Sequence, residues 1–217
     1  MKIELIKRII SSIILIPTAL FFIIKGSFLF NFFIFICFLI TIYEWHSMTK
    51  HKSYNIFGFM FLIVSFYSIY KLRNDFNSDF DLLLFVTFIC VSTDMGGYIF
   101  GKTFKGPKLT KISPKKTYSG VIGGYLLSIM FINFYLNSSH LNTQINLTKD
   151  TFILIILIST VSQLGDIMIS YFKRQSKIKD TGKIIPGHGG LLDRIDGMVF
   201  AFPFSYLVFS TNIFKYF

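Results

Sequence analysis

The sequence predicts an all-α integral membrane protein, a polytopic bundle of about seven transmembrane helices, on three observations. Hydrophobic residues make up 53% of the 217-residue chain and charged residues only 15%. Mean hydropathy is +0.60. The charges are clustered and separated by long apolar runs. A soluble fold needs about a quarter of its residues charged to cover its surface. A bilayer instead demands segments whose backbone groups are satisfied within helices.

In chain order, the apolar runs fall at residues 9–24, 27–43, 55–70, 82–100, 120–136, 152–172 and 198–214. A span needs about 20 apolar residues, with a tolerated range of about 17 to 25. The first three runs are at or below the short end, so a re-entrant pair is an alternative in the N-terminal third. Lys2, Lys7 and Arg8 ahead of the first run resemble a signal peptide. No small-residue cleavage site follows and Pro17 lies mid-run, which favours an uncleaved first helix. Cys37 and Cys90 lie inside apolar runs, without a neighbouring Cys or His at ligand spacing, and read as packing residues.

With seven spans and the N-terminus inside, 17 of the 22 Lys and Arg residues fall on one side. Cytoplasmic loops carry such an excess, so the expected orientation is N-in and C-out. The net charge of +11 is then largely topological and needs no nucleic-acid partner. A basic cytoplasmic face would also attract anionic head groups or nucleotides.

Two basic loops on that side, 102–119 and 173–196, are richer than topology requires. The segment 101–119 holds six lysines, two prolines, two glycines and no acidic residue. It reads as a phosphate-binding loop in which Ser113, Lys115, Lys116 and Thr117 supply donors and positive charge. Asp94 precedes it, well inside an apolar run. Intramembrane carboxylates are functional candidates by default, and pairing with a lysine of a neighbouring loop is the alternative. On the sixth run Ser162, Asp166, Ser170 and Lys173 are spaced by four, four and three residues, so they share one helix face. Arg174 follows, then Lys179-Asp180, the segment Pro186-Gly187-His188-Gly189-Gly190, and Asp193-Arg194-Ile195-Asp196. Gly189 and Gly190 let backbone amides approach a ligand. Asp193 and Asp196, three apart, lie on one face if that stretch is helical. His188 is a candidate general acid or phosphate ligand, or else a turn residue.

These residue types suit phosphoryl or nucleotidyl transfer. Carboxylate oxygens favour Mg²⁺, which bridges one or two carboxylates to substrate phosphates. Lys and Arg neutralise the remaining phosphate charge. No GxxxxGK[ST] loop, HExxH motif or GxSxG motif occurs.

The stretch Ser170-Tyr171-Phe172-Lys173-Arg174, four residues, Lys179-Asp180, and then the nine residues from His188 to Asp196 resembles the signature of the phosphatidate cytidylyltransferases. Gln163 to Asp166, Ile112 to Thr117, Asp94 with Tyr98, and Glu44-Trp45 are similar to further motifs of that family. Residues 1–80 then read as N-terminal transmembrane helices and 81–217 as the catalytic transmembrane region. Two departures stand out: Ser119 where the family commonly has an acidic residue, and Lys102 where it tends to have arginine.

The resemblance implies condensation of CTP with phosphatidic acid to CDP-diacylglycerol and pyrophosphate, with Mg²⁺ as cofactor. It implies a multi-pass protein of a bacterial inner (cell) membrane, with its active site facing the cytoplasm. Asp166 and Asp193 would then be metal ligands, assisted by Ser170 and Asp196. Lys173, Arg174, Lys179 and Arg194 would hold phosphates, and Lys115 and Lys116 would meet the triphosphate or lipid head group. His188 would join the catalytic residues, and Asp94, Ser113, Thr117, Asp180, Gly189 and Gly190 the substrate contacts. Small polar faces on short spans suit a homodimer. Another CTP-dependent lipid transferase or kinase, acting on a prenol or ether lipid, is the alternative enzyme. An ion transporter using Asp94 and Asp166 is the non-enzymatic one.

Overall fold

A computed structural model describes residues 2–75, 80–110, 112–138, 148–187 and 189–211. Seven long helices and one short one follow in order: α1 Lys2–Lys25, α2 Ser27–Thr49, α3 Asn55–Asn74, α4 Asp81–Phe104, α5 Tyr118–Ser138, α6 Lys149–Gln175, α7 Leu192–Ile195 and α8 Met198–Ser210. Among the described residues the only extended pairings are two isolated bridges, Lys108 with Thr117 and Ile185 with Gly189. Helices α2 to α6 are each long and apolar enough to cross a membrane. Two shorter apolar segments accompany them, Ile13–Lys25 within α1 and Met198–Ser210. Residues 212–217, where the last apolar run was expected to end, lie outside the described residues.

Local chemistry sets the boundaries. Gly26, with φ +64, takes the left-handed conformation that breaks α1 from α2. The Thr148 hydroxyl caps α6 by accepting from Thr151 N at 3.2 Å. At 27 residues, α6 is about 40 Å long, whereas the hydrocarbon core is about 30 Å thick. The helix is therefore longer than the slab is thick, and Lys173 and Arg174 stand in its last turn.

The outer surface is a belt of exposed apolar side chains, including Phe28, Phe57, Met60, Met130, Phe134 and Leu207. Exposure on that scale marks a lipid-facing surface. Inside, Phe30, Leu72, Phe85, Ile89, Ile132, Leu154 and Ile158 close a core drawn from α2 to α6. Helices α4 and α5 touch through glycine. A Cβ added to Gly96 would stand 2.8 Å from the carbonyl carbon of Gly123 and 2.9 Å from Gly124 Cα. Only a missing side chain permits that approach, as in other small-residue packing of membrane helices. Gly96→Val should therefore sharply lower the thermal midpoint or the monodisperse yield in detergent, an overpacking cost of about 1–3 kcal/mol or more. Gly97→Ala, whose added methyl would meet only Gly120 O at 3.7 Å, should be tolerated. Equal behaviour of the two variants would show that the seam is loosely packed.

The helices alternate in direction, so one end of the bundle gathers the basic loops. There Trp45 Nε1 donates to Asn55 O across the α2–α3 turn at 3.0 Å. Lys116 reaches Asp166 and Lys173 reaches Asp193 at the same end. At the opposite end Arg73 Nε donates to Ile23 O at 3.0 Å, tying α3 to the end of α1.

Candidate active site

The segment between α4 and α5 folds back on itself as a small hairpin. Leu109 N donates to Lys116 O at 2.8 Å, and Tyr118 N to Pro107 O at 3.2 Å. The turn at 113–116 closes through Lys116 N to Ser113 O at 3.0 Å. Thr117 caps α5, its Oγ1 accepting from Gly120 N at 3.1 Å. That bond gives Thr117 a structural duty. The hairpin aims Lys116 inward and leaves Lys115 exposed. Lys116 Nζ lies 2.6 Å from Asp166 Oδ2 on α6. Both side chains are about a quarter exposed, at 23% and 26%, so the pair remains open to a ligand. Ser170 Oγ donates to Asp166 Oδ1 at 3.3 Å, one turn further along α6.

The second cluster begins one turn beyond. Lys173 Nζ lies 2.9 Å from Asp193 Oδ1 and 3.7 Å from Asp196 Oδ2. Lys173 is only 8% exposed, so its charge is spent on two carboxylates away from bulk water. The other oxygen of Asp193 accepts from Thr181 N at 2.7 Å and Gly190 N at 3.0 Å. Asp193 thus ties both limbs of the 181–190 loop to α6. Burial holds the Asp196 carboxyl well above its ordinary range; Asp166 adds to that push and Lys173 opposes it. Asp94 lies within electrostatic reach of Asp166, Lys116 and Arg194. Asp166, Ser170 and Lys173 therefore do lie along one face of α6, each engaged in a polar contact. Ser162 lies against Gly197 beneath it.

Other expected residues lie at the rim. Arg174 is exposed and donates from Nη1 to Ile178 O at 3.0 Å, in the segment just past α6. Lys179, Asp180 and Arg194 are exposed, and Ser113 is half-buried in the hairpin turn. Gly189, with φ +89, sits beside Asp193 in a turn closed by Ile185 N to Gly189 O at 2.9 Å. His188 lies outside the described residues.

Among the described residues, no three carboxylate, imidazole or thiol groups converge as a self-sufficient metal cage. Magnesium needs less than that, since one or two carboxylates suffice when substrate phosphates and waters complete the shell. Asp166, partly exposed beside Asp196, fits that requirement. Asp193 fits it less well, with both oxygens already accepting hydrogen bonds or ion pairs.

Sequence reasoning gave no site role to Glu44. The structure places it, 1% exposed, against the same loop. The rule applied to Asp94, that a carboxylate inside an apolar run is a functional candidate, would have found it if extended by one residue past the run at 27–43.

Comparison with known proteins fits this geometry. The chain matches the cytidylyltransferase family over residues 6–72 and 55–212. It belongs to that family. A phosphatidate cytidylyltransferase of Rickettsia bellii is 37% identical over 218 residues, covering 95% of this chain and 91% of the relative. One from Rickettsia felis is 34% identical over 212 residues, covering 93% and 90%. A phosphatidate cytidylyltransferase of Haemophilus influenzae is 42% identical over 132 residues, covering 59% of this chain and 46% of the relative. The family's match runs across both clusters, from the α2 carboxylate to the α6 stripe and the 181–196 segment.

Proposed function

We propose that this chain condenses CTP with phosphatidate, giving CDP-diacylglycerol and pyrophosphate at the cytoplasmic face of a bacterial membrane. The observation that carries the reading is the pair of lysine–carboxylate clusters, Lys116–Asp166 and Lys173–Asp193–Asp196, set where α6 leaves the apolar slab. A phosphatidate oxygen attacks the α-phosphorus of CTP; the bond to the bridging oxygen breaks, and pyrophosphate departs. The phosphatidate phosphate is already an anion near neutral pH, so alignment and charge neutralisation carry the catalysis. Asp166, with Ser170 and Asp196, would hold Mg²⁺, which supplies charge neutralisation and alignment of the phosphates. Asp193 would complete that set while holding the loop in place. Lys116 would release Asp166 to meet a phosphate, joined by Lys115, Arg174, Lys179 and Arg194 from the rim. Asp94, Ser113, Thr117, Asp180, Gly189, Gly190 and His188 complete the proposed substrate contacts. The acyl chains reach the site laterally, between helices.

The test is purified protein in detergent with CTP, Mg²⁺ and phosphatidate, following pyrophosphate and CDP-lipid together. Chelation should stop both and added magnesium should restore them. Preferred use of a prenol phosphate or an ether lipid would overturn the substrate assignment.

The same reading includes seven spans with the N-terminus inside. In a background lacking Cys37 and Cys90, single cysteines at Lys105 and Lys177 should label from the cytoplasmic side. A cysteine at Asp75 should label only from the other. Labelling of Lys177 and Asp75 from one side would end the seven-span arrangement.

A further inference from the structure

We infer that Glu44, on α2, is a positioning residue whose buried carboxylate sets the shape of the 181–192 loop and so the placement of Asp193 and Lys173. Its Oε1 accepts from Leu191 N at 2.9 Å. Its Oε2 accepts from Leu192 N at 2.8 Å and from Thr181 Oγ1 at 3.1 Å. None of these donors is charged. The loop closes on the carboxylate so tightly that a Cβ on Gly182 would stand 2.7 Å from Oε1, and one on Gly190 would stand 2.5 Å from Oε2. Thr181 joins the two acidic centres, its hydroxyl on Glu44 and its amide on Asp193. A continuous path therefore runs from Glu44 through Thr181 and Asp193 to Lys173 and Asp196.

Three donors on two oxygens call for a carboxylate. Glutamine keeps the shape but presents one oxygen and an NH₂, so at least one N–H or O–H would face another donor. Unmade bonds to a buried charged acceptor are among the more costly to lose. The loop would then settle elsewhere, and displacement of about 1 Å at a reacting centre can cost about 100-fold in rate. The loss should fall mainly on turnover, because the path from Glu44 ends on Asp193, Lys173 and Asp196, whereas Lys115, Lys116 and Arg174 lie on other segments.

The inference rests on the proposed cytidylyl transfer for its kinetic readout. Glu44→Gln should lower kcat per folded molecule by about 10- to 100-fold, with KM for CTP and for phosphatidate within about threefold. Thr181→Val should do the same and Thr181→Ser should retain most activity. The double variant should be no slower than the slower single, because both act on one contact. Hydrogen exchange at the Gly190, Leu191 and Leu192 amides should quicken in Glu44→Gln and Thr181→Val alike. Should Glu44→Gln fail to fold, the Thr181 pair decides. Wild-type turnover in Thr181→Val, or fully additive losses, overturns the inference. A wild-type protein that makes no CDP-lipid rejects the cytidylyl-transfer reading instead; unchanged exchange then rejects the loop-positioning role separately.

Discussion

Asp166→Asn should remove turnover, by on the order of 10³-fold, from a protein that still folds. The side chain keeps its volume. Its one oxygen can still accept from Lys116, and the Ser170 hydroxyl can turn to accept from the new NH₂, at positions where the carboxylate oxygens now lie 2.6 and 3.3 Å from those groups. What it loses is the negative charge that would anchor magnesium and set the electrostatic balance of the site. The Lys116–Asp166 pair is about a quarter exposed, and such pairs contribute little to stability. The thermal midpoint should therefore stay within a few degrees of wild type, as measured by a detergent melt beside a pyrophosphate-release assay. Raising Mg²⁺ should recover little of the lost rate. A near-normal kcat in Asp166→Asn would mean that the carboxylate only tethers the hairpin, and the metal assignment would fall with it.

Lys173→Met should harm both folding and turnover. Lys173 and Asp193 have side chains only 9% and 4% exposed, with Asp196 at 13%. Removing the lysine leaves two carboxylates in a poorly solvated site without their cation. Breaking a buried pair from one side costs about 3–5 kcal/mol, a large part of the roughly 5–15 kcal/mol that holds a typical domain together. Lys173→Arg, which keeps the cation between Asp193 and Asp196, should be less damaging than Lys173→Met. Arg174→Lys, at an exposed position whose described bond is to a backbone carbonyl, should cost about 1 kcal/mol or less. Burial sets that ranking for stability, with Lys173 enclosed and Arg174 exposed. Equal melts for Lys173→Met and Arg174→Lys would return Lys173 to the surface.

Helical period was the most legible feature. Ser162, Asp166, Ser170 and Lys173 were readable as one face because four-residue steps carry no other message on an apolar helix. Asp193 and Asp196 share Lys173 as their spacing of three implies. Helix ends were less legible: α3 and α4 run four residues past the apolar runs at 55–70 and 82–100, to Asn74 and Phe104. Hydropathy marks where lipid stops, whereas backbone hydrogen bonding continues into water. The pairing of Lys173 with carboxylates, and the capping duty of Thr117, depend on contacts that periodicity does not encode. Glu44 meets Leu192 across 148 positions, and no local pattern predicts a partner that distant.

That separation bears on how the protein is made. Chains emerge at about 5–20 residues per second, so Glu44 enters the bilayer roughly 7 to 30 seconds before Thr181 and Leu192 exist to meet it. For that interval α2 carries a carboxylate near the end of an apolar span with none of its eventual donors. Water at the membrane edge, or the insertion machinery, must keep it solvated. The loop can close on Glu44 only when the 181–192 segment has been synthesised and α6 has been inserted. A ribosome stalled within α6 therefore holds an inert intermediate, however many spans have already crossed. Competence therefore waits for the last part of synthesis, when Thr181, Leu191 and Leu192 supply the donors that Glu44 lacks until then.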